Sequence, residues 1–256
     1  VQLSASAASP LAALGPGSLA CYWRFQRAVA KAQLAAWLPA PGGLLVDISG
    51  PYASGSAQAA DRGHTVIRVV AAPAEPRRAR AARTRPGTIV PVVADPASLA
   101  FLADGCADGV IAEDGALSRQ LMTEDLAAEI TRVLRPGGQL LACVDSLVLG
   151  MAILAEQHRW AHLTNLAHAE VVLIPWPDGT ITRCFGVSQL RELLTEAGLE
   201  VTWIRPRTVL SPSMVEHVLR QDPAAIARLV RAELAAGQDG ADGLFPAESF
   251  GISLLA

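Results

Sequence analysis

The sequence predicts an α/β domain built on a mostly parallel, doubly wound sheet with helices on both faces. Five short apolar segments lie between Leu44 and Val144, and they alternate with helical or mixed segments. The acids Asp47, Asp95, Glu113, Asp114 and Asp145 fall at the carboxyl ends of these segments, the rim on which open α/β sheets bind ligands. With hydrophobic residues at 51% and charged residues at 18% of 256 positions, the chain has enough apolar material for one sizeable core.

Trp23, Val29, Leu34 and Leu38 recur among alanines at helical spacings, which predicts an amphipathic helix or pair of helices over 21–38. Pro39 to Gly43 breaks it, and LLVDI (44–48) suits a strand buried on both faces. A short helix from Ser56 to Arg62, a reset at Gly63 and a β-branched strand from Thr65 to Val70 follow. Further strands are expected at Ile89–Val93 and Gly109–Ala112. From Thr123 to about Leu134 a helix is predicted, with Thr123 as cap and Glu124 and Asp125 at its positive end. Leu126, Ile130, Val133 and Leu134 share one face of it. Arg135 to Gly138 reads as a turn into a fifth strand, Gln139–Val144.

Beyond Asp145 the pattern predicts one long helical stretch over 147–169, then a hairpin whose arms are VVLIPW and ITRCF, joined by Pro177–Thr180. Ser188 is the expected cap of the next helix, which Gly198 ends before the strand LEVTWIR. Two helical pieces over 213–236, a flexible link from Gly237 to Gly243 and a terminal strand in SFGISLLA complete the chain. Residues 1–20 read as a loose arm and 21–256 as one domain, with 147–186 as a helical and hairpin insertion.

A net charge of −3, from 21 basic and 24 acidic residues, argues against bulk attraction to nucleic acid or anionic lipid. No apolar run reaches the roughly 18 residues that a membrane helix needs. Cys21, Cys106, Cys143 and Cys184 lack metal-binding spacing. They read as reduced thiols of a cytoplasmic protein, with no metal site.

Three ordered stretches give this pattern a family resemblance. IVPVVADPASLAFLADGCADGVIAEDGALS (89–118), ITRVLRPGGQLLACV (130–144) and FGVSQLRELLTEAGLEVTWI (185–204) together resemble the class I S-adenosylmethionine-dependent methyltransferases. The resemblance implies a Rossmann-like, seven-stranded sheet whose last strand is antiparallel, and S-adenosylmethionine as cofactor. It implies that Asp95, Pro96 and Ala97 meet the adenine, while Glu113, Asp114 and Gly115 line the gap between methyl donor and acceptor. The cofactor loop would be Asp47, Ser49, Gly50, Pro51, Ala53 and Gly55.

Two departures stand out. Where the family has glycines two, four and six residues after the first acid, this chain has Ser49, Pro51 and Ala53. Where the family has an acid for the ribose hydroxyls, the second strand ends in Val70, and Glu75 comes five residues late.

His158 and His162, four residues apart in the expected long helix, are candidate bases for a hydroxyl acceptor, with Asp114 as a third. A metal pair lacks the neighbouring glutamate of metalloproteases, and His168 is a further histidine of the same stretch. Asp145, Trp160, Trp176 and Arg183 are candidate substrate contacts around the hairpin. For the two tryptophans and Arg183 the alternative is packing of the hairpin against the domain, and for Asp145 it is capping of the next helix. Arg77, Arg78, Arg80, Arg83 and Arg85 lack interleaved aromatics and read as a solvated helix face. The expected function is methyl transfer from S-adenosylmethionine to oxygen or nitrogen of a small molecule, by a monomer or a homodimer. The alternative is a methyltransferase-like scaffold without methyl transfer, such as a cofactor-free isomerase or cyclase or a non-catalytic interaction protein. A nicotinamide dehydrogenase is disfavoured because the G-x-G-x-x-G fingerprint is absent.

Overall fold

The computed structural model describes residues 19–50, 54–71, 86–165, 169, 171–176, 179–239 and 251–255. Pro51, Ala53, Glu75, the arginine run from Arg77 to Arg85, His168 and residues 1–18 lie outside the described residues.

The strands are β1 (Leu44–Asp47), β2 (Thr65–Val70), β3 (Thr88–Val93), β4 (Ala107–Ala112), β5 (Leu134–Asp145), β6 (Val172–Pro175), β7 (Ile181–Cys184), β8 (Trp203–Pro206) and β9 (Gly251–Leu255). Seven of them form one sheet in the order β3-β2-β1-β4-β5-β9-β8, and β6 and β7 form a separate hairpin. β1 to β5 pair in parallel, whereas β9 runs antiparallel to both β5 and β8. The strand order reverses between β1 and β4, and such a switch point opens a crevice at the carboxyl ends of the strands.

Period-2 alternation explains why the central strands are apolar throughout. Leu45, Ile111 and Leu141 face Leu34 and Trp37 of α1 (Ala20–Trp37) and Ala59 of α2 (Gly55–Asp61). Val46, Val110 and Leu140 face the other way, onto Leu126, Ile130 and Val133 of α3 (Thr123–Val133) and Leu190 and Leu194 of α6 (Val187–Glu196). Each fully buried leucine of these layers contributes roughly 1.5–3 kcal/mol. A further helical layer joins α1 to α7 (Pro212–Gln221) and α8 (Ile226–Asp239), through Tyr22, Phe25 and Val29 against Val215 and Leu219. Tyr22 N–H donates to Glu216 at 3.0 Å, and its hydroxyl bonds Thr208 at 2.8 Å.

Several local expectations are corrected. Thr123 does not cap α3: its buried hydroxyl donates to the Gln120 carbonyl at 2.7 Å and holds the preceding turn. At α6 the cap is Gly186, whose N–H donates to Gln189 Oε1 at 3.1 Å, and Ser188 already lies inside the helix. The Arg135–Gly138 turn is drawn into β5 at an irregularity where Ala107 pairs Leu134 and Gly109 pairs Gln139. Gly237 belongs to α8 rather than to a link.

The long helix expected over 147–169 is two, α4 (Leu147–Glu156) and α5 (Trp160–Asn165). His158, at φ 56°, ends α4 in the left-handed conformation. His158 N–H donates to Ala155 O at 3.0 Å and Arg159 N–H to Leu154 O at 2.8 Å, the paired bonds of a Schellman closure. Gln157 Nε2 donates to Pro175 O at 2.8 Å, which fixes this end of α4 to the hairpin.

Candidate functional site

The chain leaving β1 is held by a buried ion pair. Asp47 is fully buried, and its carboxylate accepts from Ser49 N–H at 2.9 Å, from Ser56 N–H at 2.9 Å and from the Ser56 hydroxyl. Arg68 of β2, the register partner of Asp47, donates to it at 2.8 Å and to the Gly50 carbonyl at 2.8 Å. Sequence reading missed Arg68. The signal was a lone arginine in the β-branched run TVIRVV, because a buried guanidinium requires an anionic partner. Val70, at the end of β2, is buried and supplies no carboxylate there.

Beyond Asp47 the chain stays stitched to β4. Ile48 N–H donates to Ile111 O at 2.9 Å, Glu113 N–H to Ser49 Oγ at 2.9 Å, and Gly50 N–H to Glu113 O at 3.1 Å. A Cβ added at position 50 would run into Asp114 Oδ2 and Arg119 Nη2, the ends of two side chains that would have to turn aside. Gly55 is buried at the start of α2.

Just past β4, Glu113 makes a buried ion pair with Arg207, which enters from the end of β8 and is only 2% exposed. Arg207 also donates to Gln33 Oε1 of α1 at 2.6 Å. The other carboxylate oxygen of Glu113 is buried without a hydrogen-bond partner. Asp114 (φ 58°) and Gly115 (φ 66°) both adopt left-handed backbone, which directs the following turn back over the rim. Arg119 lies between Asp114 and Asp145: a Cβ built on Gly115 would stand 3.6 Å from Arg119 Nη1 and 3.6 Å from Asp145 Oδ1.

Asp145 stands at the end of β5. Burial pushes its carboxyl up to about 6, although Arg119 and a hydrogen bond from Thr182 favour the charged form. Thr182 is oriented by Trp176, whose Nε1–H donates to the hydroxyl oxygen at 2.7 Å and leaves the threonine proton for Asp145. Ser118 secures this arrangement: its Oγ accepts from Asp145 N–H at 2.7 Å and its carbonyl from Arg183 N–H at 2.7 Å. Thr182, Arg119, Arg68 and Arg207 were all invisible to motif reading, since none belongs to a short pattern.

The remaining sequence candidates take different positions. Asp95 is exposed after β3 and accepts from Ala97 N–H at 2.9 Å across Pro96, so it shapes its own turn. His158 and His162 do not share a helical face, because the break between α4 and α5 separates them. His158 lies beside the Trp160 ring at 5.8 Å, with Trp160 exposed. His162 lines an apolar groove of about 370 Å³ with Arg159, Leu173 and Ile181, which contains none of the rim acids. Trp176 is buried against α4 and the hairpin, and Arg183 is spent on Glu124 at 2.7 and 2.9 Å and on the Phe185 ring. Among the described residues there is no cluster of three or more His, Cys, Asp or Glu suited to a metal, no disulfide, and no helix long and apolar enough to cross a membrane.

Residues 46–142 match the family model described as a methyltransferase domain. No curated protein sequence matches the chain. Among solved structures, a SAM-dependent methyltransferase from Methanosarcina mazei aligns with TM-score 0.57 and 17% identity, over 87% of this chain and 95% of that one. The 1,6-didemethyltoxoflavin-N1-methyltransferase of Burkholderia thailandensis, solved with 1,6-didemethyltoxoflavin and S-adenosylhomocysteine, aligns with TM-score 0.55 and 17% identity over 92% and 80%. The [4+2]-cyclase SpnF shares the same fold, with TM-score 0.52 and 20% identity over 88% and 78%. Residues 46–142 thus match a methyltransferase domain, and the sheet order and the solved structures give the chain the fold of S-adenosylmethionine-dependent methyltransferases.

Proposed function

We propose that this chain transfers a methyl group from S-adenosylmethionine to oxygen or nitrogen of a small molecule, with Asp145 as proton acceptor. The observation that carries the reading is the position of Asp145: it is desolvated, oriented by Thr182, and set beside Asp114 and Gly115 at the sheet's carboxyl rim. A carboxyl near 6 is a base in its majority form at neutral pH, yet basic enough to take a proton in a transition state.

The residues fit the cofactor at two of three places. Asp95, Pro96 and Ala97 offer an exposed turn for the adenine, and the unpartnered oxygen of Glu113 is an acceptor awaiting a donor. At the third place, Asp47, Ser49, Gly50 and Gly55 would line the loop with Pro51 and Ala53. There Asp114 and Arg119, both partly exposed, crowd Gly50 and must turn aside for a ligand. When bound, S-adenosylmethionine supplies an electrophilic methyl group on a positively charged sulfur. The chain's own contribution is to hold the acceptor in line, exclude water beneath the hairpin and receive the acceptor's proton on Asp145. Glu113, Asp114 and Asp145 outnumber Arg119 and Arg207 around the crevice, which suits a cationic ligand.

Calorimetric titration of the full chain is expected to give micromolar dissociation constants for S-adenosylmethionine and S-adenosylhomocysteine. The missing ribose acceptor costs about 1–3 kcal/mol of affinity, up to about a hundredfold. Heat from neither compound at millimolar concentration would remove the reading. His158→Ala and His162→Ala are each expected to change turnover by no more than about twofold, the usual range of surface substitutions. A hundredfold loss in either would move the base from Asp145 to the histidines.

A second reading, a cofactor-free isomerase or cyclase on the same fold, is favoured by one observation. Ile48 and Gly50 are hydrogen-bonded to β4 and its exit, Arg68 holds the Gly50 carbonyl, and the side chains of Asp114 and Arg119 fill the space beside Gly50. It predicts small-molecule binding with no response to S-adenosylmethionine.

A further inference from the structure

We propose that the apolar groove between the hairpin and the break joining α4 to α5 binds an amphipathic anion, an apolar chain ending in a carboxylate, with Arg159 as its anchor. The groove holds none of the rim acids, and the proposal stands apart from the methyl-transfer reading.

The groove encloses about 370 Å³, within the roughly 300–1,000 Å³ usual for small-molecule sites. Leu154 and Val172, both buried, and Leu173 and Ile181, both nearly half exposed, give it apolar walls. A run of methylenes laid there covers the exposed sides of Leu173 and Ile181, and taking that surface out of water favours binding. The two polar residues of the lining, Arg159 and His162, are both basic, and no acid stands among the described lining residues.

The backbone fixes Arg159 at this edge. The closure of α4 joins Arg159 N–H to the Leu154 carbonyl at 2.8 Å, and the Arg159 carbonyl accepts from His162 N–H at 3.1 Å. One turn of chain thus supplies an apolar wall from Leu154 and a cation from Arg159. Arg68, Arg132, Arg183 and Arg207 are each paired with an acid. Neither the Arg159 guanidinium nor the His162 ring has a hydrogen bond or ion pair with a described residue. An open guanidinium fork takes a carboxylate by two parallel N–H···O bonds, and the His162 ring adds a further donor. A cationic ligand would be repelled and a neutral chain would leave the fork to water, so the groove favours an anion.

The test is calorimetry of the full chain with monomeric decanoate, octanoate and decanol, in the absence of S-adenosylmethionine. One decanoate per chain is expected, with octanoate about tenfold weaker for its two missing methylenes. Arg159→Gln is expected to weaken decanoate about tenfold while leaving decanol within about twofold. Leu173→Glu, at an exposed position where the fold tolerates charge, is expected to weaken both ligands by about tenfold or more. The proposal is overturned if decanoate gives no heat at millimolar concentration or if chain length has no effect. It is equally overturned if Arg159→Gln spares decanoate or weakens decanol as much, or if Leu173→Glu changes neither. Sedimentation with anionic vesicles, without binding of monomeric decanoate, would assign the patch to a membrane surface instead. Because neither the cofactor nor a rim residue enters this experiment, its failure and that of the methyl-transfer reading are separate results.

Discussion

Arg207→Ala is expected to lower the free energy of unfolding by about 3–5 kcal/mol, the usual consequence of removing one member of a buried ion pair. Glu113 would keep its charge in a place where one of its oxygens already lacks a hydrogen-bond partner. Gln33 would lose its guanidinium donor as well. At roughly 2–4 °C per kcal/mol for a chain of this size, the midpoint of thermal unfolding should fall by on the order of 10 °C. The double substitution Arg207→Met with Glu113→Gln is expected to recover much of the loss, because it removes the stranded charge. Urea titration of the three proteins is the measurement. A single variant within 1 kcal/mol of wild type would show that water reaches this pair.

Asp145→Asn is expected to reduce kcat by about 10²–10⁴-fold, the usual weight of a general base. In the unsubstituted protein kcat/KM should rise with pH through about 6 as the carboxyl ionises, and this limb should vanish in the variant. The stability consequence has the opposite sign. The folded-state pKa is raised, so the stability that Asp145 contributes is fully present below about 3.9, the unfolded value, and is lost as pH rises through about 6. Asp145→Asn should therefore be relatively more stable than wild type at neutral pH than at pH 4. A pH-independent ratio of activities would exclude Asp145 as the base.

Much of the sheet was legible because its determinants are local. LLVDI, TVIRVV and QLLACV are short apolar runs bounded by turns, and alternate residues such as Leu45 and Val46 reach opposite cores. Gly198 likewise ends its helix in left-handed backbone, as its sequence position suggested. The division of 147–169 was not legible, since neither glycine nor proline marks the break and His158 takes the left-handed place instead. The rim was legible only by half. Its acids stood out at strand ends, but their partners Arg68, Arg119, Thr182 and Arg207 are set by register and by the return of the chain after β8. Arg207 and Glu113 are 94 positions apart, and no spacing rule connects them.

That separation bears on how the chain can be divided. A fragment ending after β8 would retain six strands of the seven-stranded sheet, yet it would strand the Glu113 carboxylate in a dry interior. The segment that begins at Arg207 is thus no detachable appendage. Grafting it onto a relative, or trimming it away, requires residue 113 to change at the same time, so the two positions should be inherited or engineered as a pair.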